Sequence, residues 1–110
     1  MRQREIYYAA LDPVRGNEQS GNRPVVVISG NVMNSSLGIC IICPLTTTIK
    51  NLTSRVLLKK DNINNLRADS DILIFHVRTI AKERLSRMVG EITNAQLEQV
   101  IGGLNDMLRY

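Results

Sequence analysis

The chain has 110 residues, 44% of them hydrophobic and 22% charged, with a formal charge of +4 and a pI near 9.4. That length builds one core without disulfides or metal staples, so a single domain over 1–110 is expected. The basic balance suits a polyanionic partner such as RNA, but one Phe, three Tyr and no Trp argue against aromatic platforms as the main mode of base recognition. No apolar run approaches the ~20 residues that cross a bilayer. Met1-Arg2-Gln3-Arg4-Glu5 lacks the apolar segment of a signal peptide, so a cytoplasmic protein is expected.

In chain order, Ile6 to Leu11 reads as a first strand closed by Asp12-Pro13. Pro24 to Ser29 is a second strand, nearly continuous in β-branched residues and therefore buried on both faces. Asn31 to Leu37 is a polar turn with room for one helical turn. Gly38 to Leu45 is a third strand, and Thr46-Thr47-Thr48 opens another loop. Arg55 to Lys59 alternates as a strand with one wet face, followed by turn residues from Asp61 to Asn65. Ser70 to Val77 reads as a fifth strand, Ala81 to Leu85 as a short helix and Met88 to Ile92 as a last strand.

The C-terminal segment has the strongest helical pattern. Thr93 and Gln96 have capping-box spacing, and Leu97, Val100, Ile101, Leu104, Met107 and Leu108 then share one face. Gly102 and Gly103 each cost ~1 kcal/mol in such a helix, which suggests close backbone approach to the sheet or to a second subunit. The fold class expected is mainly β with a C-terminal helix, arranged as a small antiparallel barrel.

Cys40 and Cys43 have C-x-x-C spacing but lie inside a β-branched run, where alternation sends them to opposite faces. His76 is the only histidine. Two buried free thiols are expected, with no metal site and no cofactor.

The loop from Asp12 to Arg23 is long for a hairpin connection and is bounded by Gly16 and Gly21. It delivers Arg23 to the start of the second strand, with Pro24 holding it extended. A guanidinium is always charged and offers a planar fork of donors that suits a phosphate. The same pattern also describes an ordinary turn with an arginine that is solvated or paired to Asp12 or Glu18.

With these elements placed, the order of motifs resembles the MazF/PemK family of toxin endoribonucleases over nearly the whole chain. The matching pieces are Leu11-Asp12-Pro13 with Gly16-x-Glu18-Gln19-x-Gly21-x-Arg23-Pro24, then Cys43-Pro44-Leu45-Thr46, then Val77-Arg78-Thr79-Ile80 with Lys82 and Arg84-Leu85. The resemblance implies an SH3-like barrel of the MazF/CcdB type, a homodimer, and metal-independent cleavage of single-stranded RNA to 2′,3′-cyclic phosphate and 5′-hydroxyl ends. It also implies a cognate MazE-like antitoxin whose C-terminal segment occupies the RNA groove.

By the same resemblance, Arg23 and Thr46 are the principal catalytic residues. A guanidinium is always protonated at ordinary pH and so is a poor general base, and Arg23 is read as stabilising charge. Thr46 positions the phosphate or the attacking oxygen, or else simply starts a turn. Glu18 orients Arg23 or the loop, with base catalysis as the lesser reading. Asn17, Gln19 and Thr47 are candidates for RNA contacts, and Arg78 for a phosphate contact or a structural salt bridge.

The chain departs from the family where one branch carries its arginine, aspartate and histidine, since Leu73, Phe75 and Asn17 stand there. In the other branch an acid and a glutamine close the fifth strand, where this chain has Phe75 and His76. A neutral imidazole takes a proton near pH 7, so His76 is either a base, a reader of base edges, or a partly buried histidine bonded to backbone. Two other functions stay open: a catalytically impaired relative, and a gyrase poison on the same fold. The latter acts through a C-terminal tryptophan that this chain lacks.

Overall fold

A computed structural model of the chain describes residues 1–11, 22–49 and 56–109. Seven strands are described: β1 (Glu5–Ala10), β2 (Asn22–Val27), β3 (Ile39–Thr46), β4 (Val56–Leu58), β5 (Ser70–Ile72), β6 (Arg78–Ala81) and β7 (Leu85–Glu91). Two helices accompany them, α1 (Asn31–Ser36) and α2 (Asn94–Met107). The strands form one antiparallel sheet in the order β4-β5-β3-β2-β1-β7, with β6 also on β3, curled into a half-barrel.

The β-branched run of β2 explains the curl. Val25, Val26 and Val27 are all fully buried, and they serve two cores. Val26 joins Ile6, Cys43, Leu45, Ile72 and Ile92 on one face, where Leu97 and Val100 of α2 cover them. Val25 and Val27 join Ala9, Leu11, Cys40, Ile42 and Ile80 on the other. Cys40 and Cys43 therefore face opposite cores as free thiols, as alternation requires.

Helix α2 begins with the capping box its sequence announces: the Gln96 amide donates to the Thr93 hydroxyl at 3.1 Å and the Thr93 amide donates to the Gln96 side chain at 2.8 Å. Its apolar face packs as expected, with Ile101, Leu104 and Met107 also against the first core. A Cβ on Gly102 would meet nothing within 4 Å among the described residues, which sets aside the approach to the sheet and leaves the expected alternative of a second subunit.

The expected fifth strand is split. β3 pairs Leu45 with Ile72 of β5 and Ile42 with Arg78 of β6, so β3 advances three residues while its neighbour advances six. A 3₁₀ turn over Ile74–His76 absorbs the excess. The apolar run hides this break because Ile74 still reaches the first core. The helix expected from 81 to 85 is a 3₁₀ turn at Lys82–Arg84, with β6 before it and β7 starting at Leu85. Lys82 is held structurally, its ammonium donating to the Asn34 carbonyl.

The segment from 59 to 66 is fastened to β7. Asn64, 1% exposed, accepts from the Asp61 and Leu66 amides through its side-chain oxygen and donates to the Lys59 carbonyl at 2.9 Å. Glu91 donates from its amide to the Ile63 carbonyl. This contact demands Gly90, where a Cβ would stand 2.3 Å from the Asn64 backbone oxygen. Gly90→Ala is expected to cost about 2 kcal/mol by overpacking and to lower Tm by on the order of 10 °C, read by thermal denaturation.

Burial pushes the Cys43 thiol up to about 12 and raises Cys40 as well, against the opposing charge of Lys82. Tyr7 rises to about 12, through burial first and its hydrogen bond to Glu5 second. The native state thus holds these protons more tightly than the unfolded chain. Their stabilising contribution is complete below the unfolded thiol value of ~8.5 and is lost as pH rises toward 12. Urea denaturation should show stability falling from about pH 9 upward, with a shallower fall in Cys43→Ala.

Candidate active site

Strand register builds the site. β2 and β3 pair Val25 with Pro44, Val26 with Cys43 and Val27 with Ile42. Carrying that register on by two residues sets Arg23 opposite Thr46. On the other side Arg23 pairs with Ala9 of β1, and Thr46 pairs with Asp71 of β5. One transverse row thus runs Ala9, Arg23, Thr46, Asp71, and facing residues in such a row share a face of the sheet. It is the face of Val25, Val27 and Ile42, because strand positions alternate. Directly opposed Cβ atoms lie ~5 Å apart, so the two residues singled out by sequence, 23 positions apart along the chain, become neighbours.

Arg23 is partly exposed at the start of β2, next to the connection over 12–21. Leu11, the last described residue before that connection, is fully buried in the second core. Asn17, Glu18 and Gln19 fall within 12–21 and lie outside the described residues.

Thr46 ends β3 half-buried, and its hydroxyl oxygen accepts the Thr48 amide at 3.2 Å. This is the local turn bond that such a residue makes on its own account. It uses the oxygen as acceptor only, so the hydroxyl proton keeps a direction of its own toward a ligand or neighbour. Thr47 is exposed and lies beside Thr46 at the strand end.

Arg78 shares the face, paired with Ile42 of β3, but lies four β3 residues away from Thr46. Its guanidinium reaches the Leu11 carbonyl at 3.5 Å, a long contact that ties β6 to the start of the 12–21 connection. Arg78 thus lies outside the transverse row, and its contact ties β6 to the end of β1. His76 sits in the 3₁₀ turn between β5 and β6, also off the row. Its Nδ1 is buried with no hydrogen-bond partner among the described residues, so it makes no backbone bond of the kind a structural histidine would. Phe75 beside it is about half exposed.

Asp71 is the residue that sequence reading passed over. It is 2% exposed and directly opposite Thr46. A carboxylate is buried so deeply only where donors or cations meet it. The available signal was a lone acid inside the apolar run from Ser70 to Phe75. Among the described residues, no group of three or more His, Cys, Asp or Glu side chains is placed to hold a metal. The row offers a fixed cation, a hydroxyl and a buried carboxylate, which together can bind and polarise a phosphodiester.

Comparison with known proteins shows the family of the chain and its fold. Residues 2–108 match the family of PemK-like, MazF-like toxins of type II toxin–antitoxin systems. The chain is 32% identical to Endoribonuclease MazF9 of Mycobacterium tuberculosis over 105 residues, covering 91% of this chain and 89% of that protein. Among solved structures, MazF of Deinococcus radiodurans superposes with a TM-score of 0.84 at 26% identity, over 98% of this chain and 96% of that one. The fold is also that of the MazE–MazF complex from the same organism, at TM-score 0.78 and 24% identity over 98% and 95% of the two chains. With a family match over nearly its full length, the chain belongs to the MazF/PemK endoribonuclease toxins of type II toxin–antitoxin systems.

Proposed function

We propose that this protein cleaves single-stranded RNA at short sequences without a metal, leaving a 2′,3′-cyclic phosphate and a 5′-hydroxyl. The observation that supports the reading is the β2–β3 register, which pairs Val25 with Pro44 and, continued by two residues, sets Arg23 opposite Thr46. In this reaction the 2′-oxygen bonds to the adjacent phosphorus as its proton leaves. The bond from phosphorus to the 5′-oxygen then breaks, and that oxygen takes up a proton. Negative charge grows on the non-bridging oxygens, where a fixed guanidinium stabilises the transition state more than the ground state. Arg23 supplies that charge, and the free proton of the Thr46 hydroxyl positions one of the oxygens.

The proton acceptor is a separate question, because neither Arg23 nor Thr46 is basic enough near neutrality. His76 is the candidate on this chain, with a buried Nδ1 that has no hydrogen-bond partner among the described residues. Reading a base edge is its other role. Glu18, Asn17 and Gln19 remain assigned to the loop side of the RNA, and Thr47 to a flanking contact. A MazE-like antitoxin is the partner proposed, competing with RNA, and a homodimer is the proposed assembly.

The test is cleavage of a long unstructured RNA in EDTA by purified protein freed of antitoxin, with fragment ends mapped. Discrete cuts bearing a 5′-hydroxyl are expected, and Arg23→Ala should lower kcat by about 10²–10³. Thr46→Ala should fall by a similar factor, and Thr46→Ser should recover most of it because the hydroxyl returns. Absence of cleavage by folded wild type would replace the enzyme with a binding-only relative and direct attention to Phe75 and His76.

His76→Gln separates the two roles of that residue. Loss of kcat together with loss of the acidic limb of the pH–rate profile marks His76 as the base. An unchanged pH profile with an altered cut site assigns it to base reading instead.

A further inference from the structure

The transverse row uses one side of the strand ends. On the reverse side lies a pocket of about 340 Å³, bounded by Tyr8, Thr47, Asn65, Arg67, Arg87 and Met88, with Pro24 at its edge. Pro24 and Thr47 are the chain neighbours of Arg23 and Thr46. Consecutive strand residues point to opposite faces, so the pocket and the proposed catalytic pair share one rim of the sheet.

The lining has a definite chemistry. Among the described residues, two guanidinium groups contribute and no carboxylate does. The Arg87 guanidinium lies 5.0 Å over the Tyr8 ring, a cation–π arrangement that leaves a flat, positively charged wall. Met88 adds apolar surface, while the Asn65 amide and Thr47 hydroxyl add hydrogen-bonding groups.

The walls are also fixed in place. Asn65 takes a left-handed backbone with φ of 53° and donates from its side chain to the Val89 carbonyl at 3.1 Å. The Ser86 hydroxyl holds the Tyr8 carbonyl at 3.1 Å. Behind Asn65 stands the Asn64–Gly90 contact, which locks this segment to β7. A pocket with prebuilt walls costs little ordering when a ligand enters.

We propose that this pocket is a base-binding subsite that takes the nucleotide next to the scissile phosphate, an inference resting on the nuclease reading above. A single-stranded RNA crossing the rim places its scissile phosphate at Arg23 and Thr46 and turns the adjacent base to the other side. There the base stacks against the Tyr8–Arg87 wall, with Asn65 and Thr47 at its edge and Arg67 toward the next phosphate. Stacking is available to every base, while the amide and hydroxyl discriminate among edges. The two arginines, Arg67 and Arg87, on an otherwise neutral and largely apolar lining favour a flat base flanked by phosphate.

The experiment uses the whole protein and two readouts. Binding is measured by fluorescence anisotropy with a labelled single-stranded RNA carrying a 2′-deoxy block at the mapped cut site. Fragment ends on a long RNA are mapped in parallel. Arg87→Ala and Tyr8→Leu are compared with wild type and with Tyr8→Phe, with thermal denaturation to confirm folding.

Loss of one stacked base corresponds to a roughly 5- to 150-fold weaker Kd. The proposal expects a weakening in that range for Tyr8→Leu, a smaller one for Arg87→Ala, and recovery in Tyr8→Phe. KM should rise with kcat nearly held, and base preference should relax at one position beside the cut. Folded variants with wild-type affinity and an unchanged cut pattern overturn the subsite. So does weakening confined to an acidic antitoxin peptide, which would make the pocket a protein-docking site. If wild type cuts no RNA the nuclease reading fails by itself, and if it also binds none the subsite falls with it.

Discussion

The antiparallel register of β2 against β3 is the constraint on which the rest depends. Three consecutive valines in β2 are fully buried because each face of the strand meets a separate core. A slip of one residue would send Val26 to the wrong core and would turn Arg23 and Thr46 to the other side of the sheet. Burial on one face already specifies register strongly, and burial on both faces specifies it twice. The positions two residues beyond Val25 and Pro44 are therefore set by apolar packing, although neither Arg23 nor Thr46 contributes much to that packing.

This arrangement separates the two demands on the molecule. The valines, isoleucines and thiols supply the free energy and rigidity, and the polar residues occupy strand ends where solvent and ligand can reach them. A phosphodiester needs donors held in place before its charge develops. Ends of well-buried strands provide that without the cost of burying a guanidinium in the core. Asp71 is the exception, since it places a carboxylate inside the same row at nearly complete burial.

The second organising contact is between Asn64 and Gly90. It replaces side-chain packing by direct backbone approach, so that the segment after β4 lies flat on β7. The pocket on the reverse side of the rim is lined in part by this segment, through Asn65 and Leu66, and in part by β7. One sheet thus presents a polar row on one side and a cationic, partly aromatic hollow on the other. Tyr8 alters the sense of the composition: few aromatics argue against aromatic recognition in bulk, but one ring in the right place under an arginine makes a stacking wall.

Much of this was legible in the sequence. The valine run announced a doubly buried strand, and Thr93 and Gln96 announced the start of α2. Those features are local, and local chemistry fixes them. The split of the expected fifth strand was not legible, because Ile74 and Phe75 have the same apolar character in a strand as in a 3₁₀ turn, and only the three-residue mismatch against β3 reveals the break. Gly102 makes no close contact among the described residues of its own chain, while Gly90, unremarked in sequence, makes one. Sequence by itself determined which side chains are able to do chemistry and which runs must be buried. Only the tertiary structure decided that Arg23, Thr46 and Asp71 stand in one row and that Tyr8 and Arg87 meet behind it, because pairing between strands far apart in the chain is set by the packing of two cores rather than by any local preference.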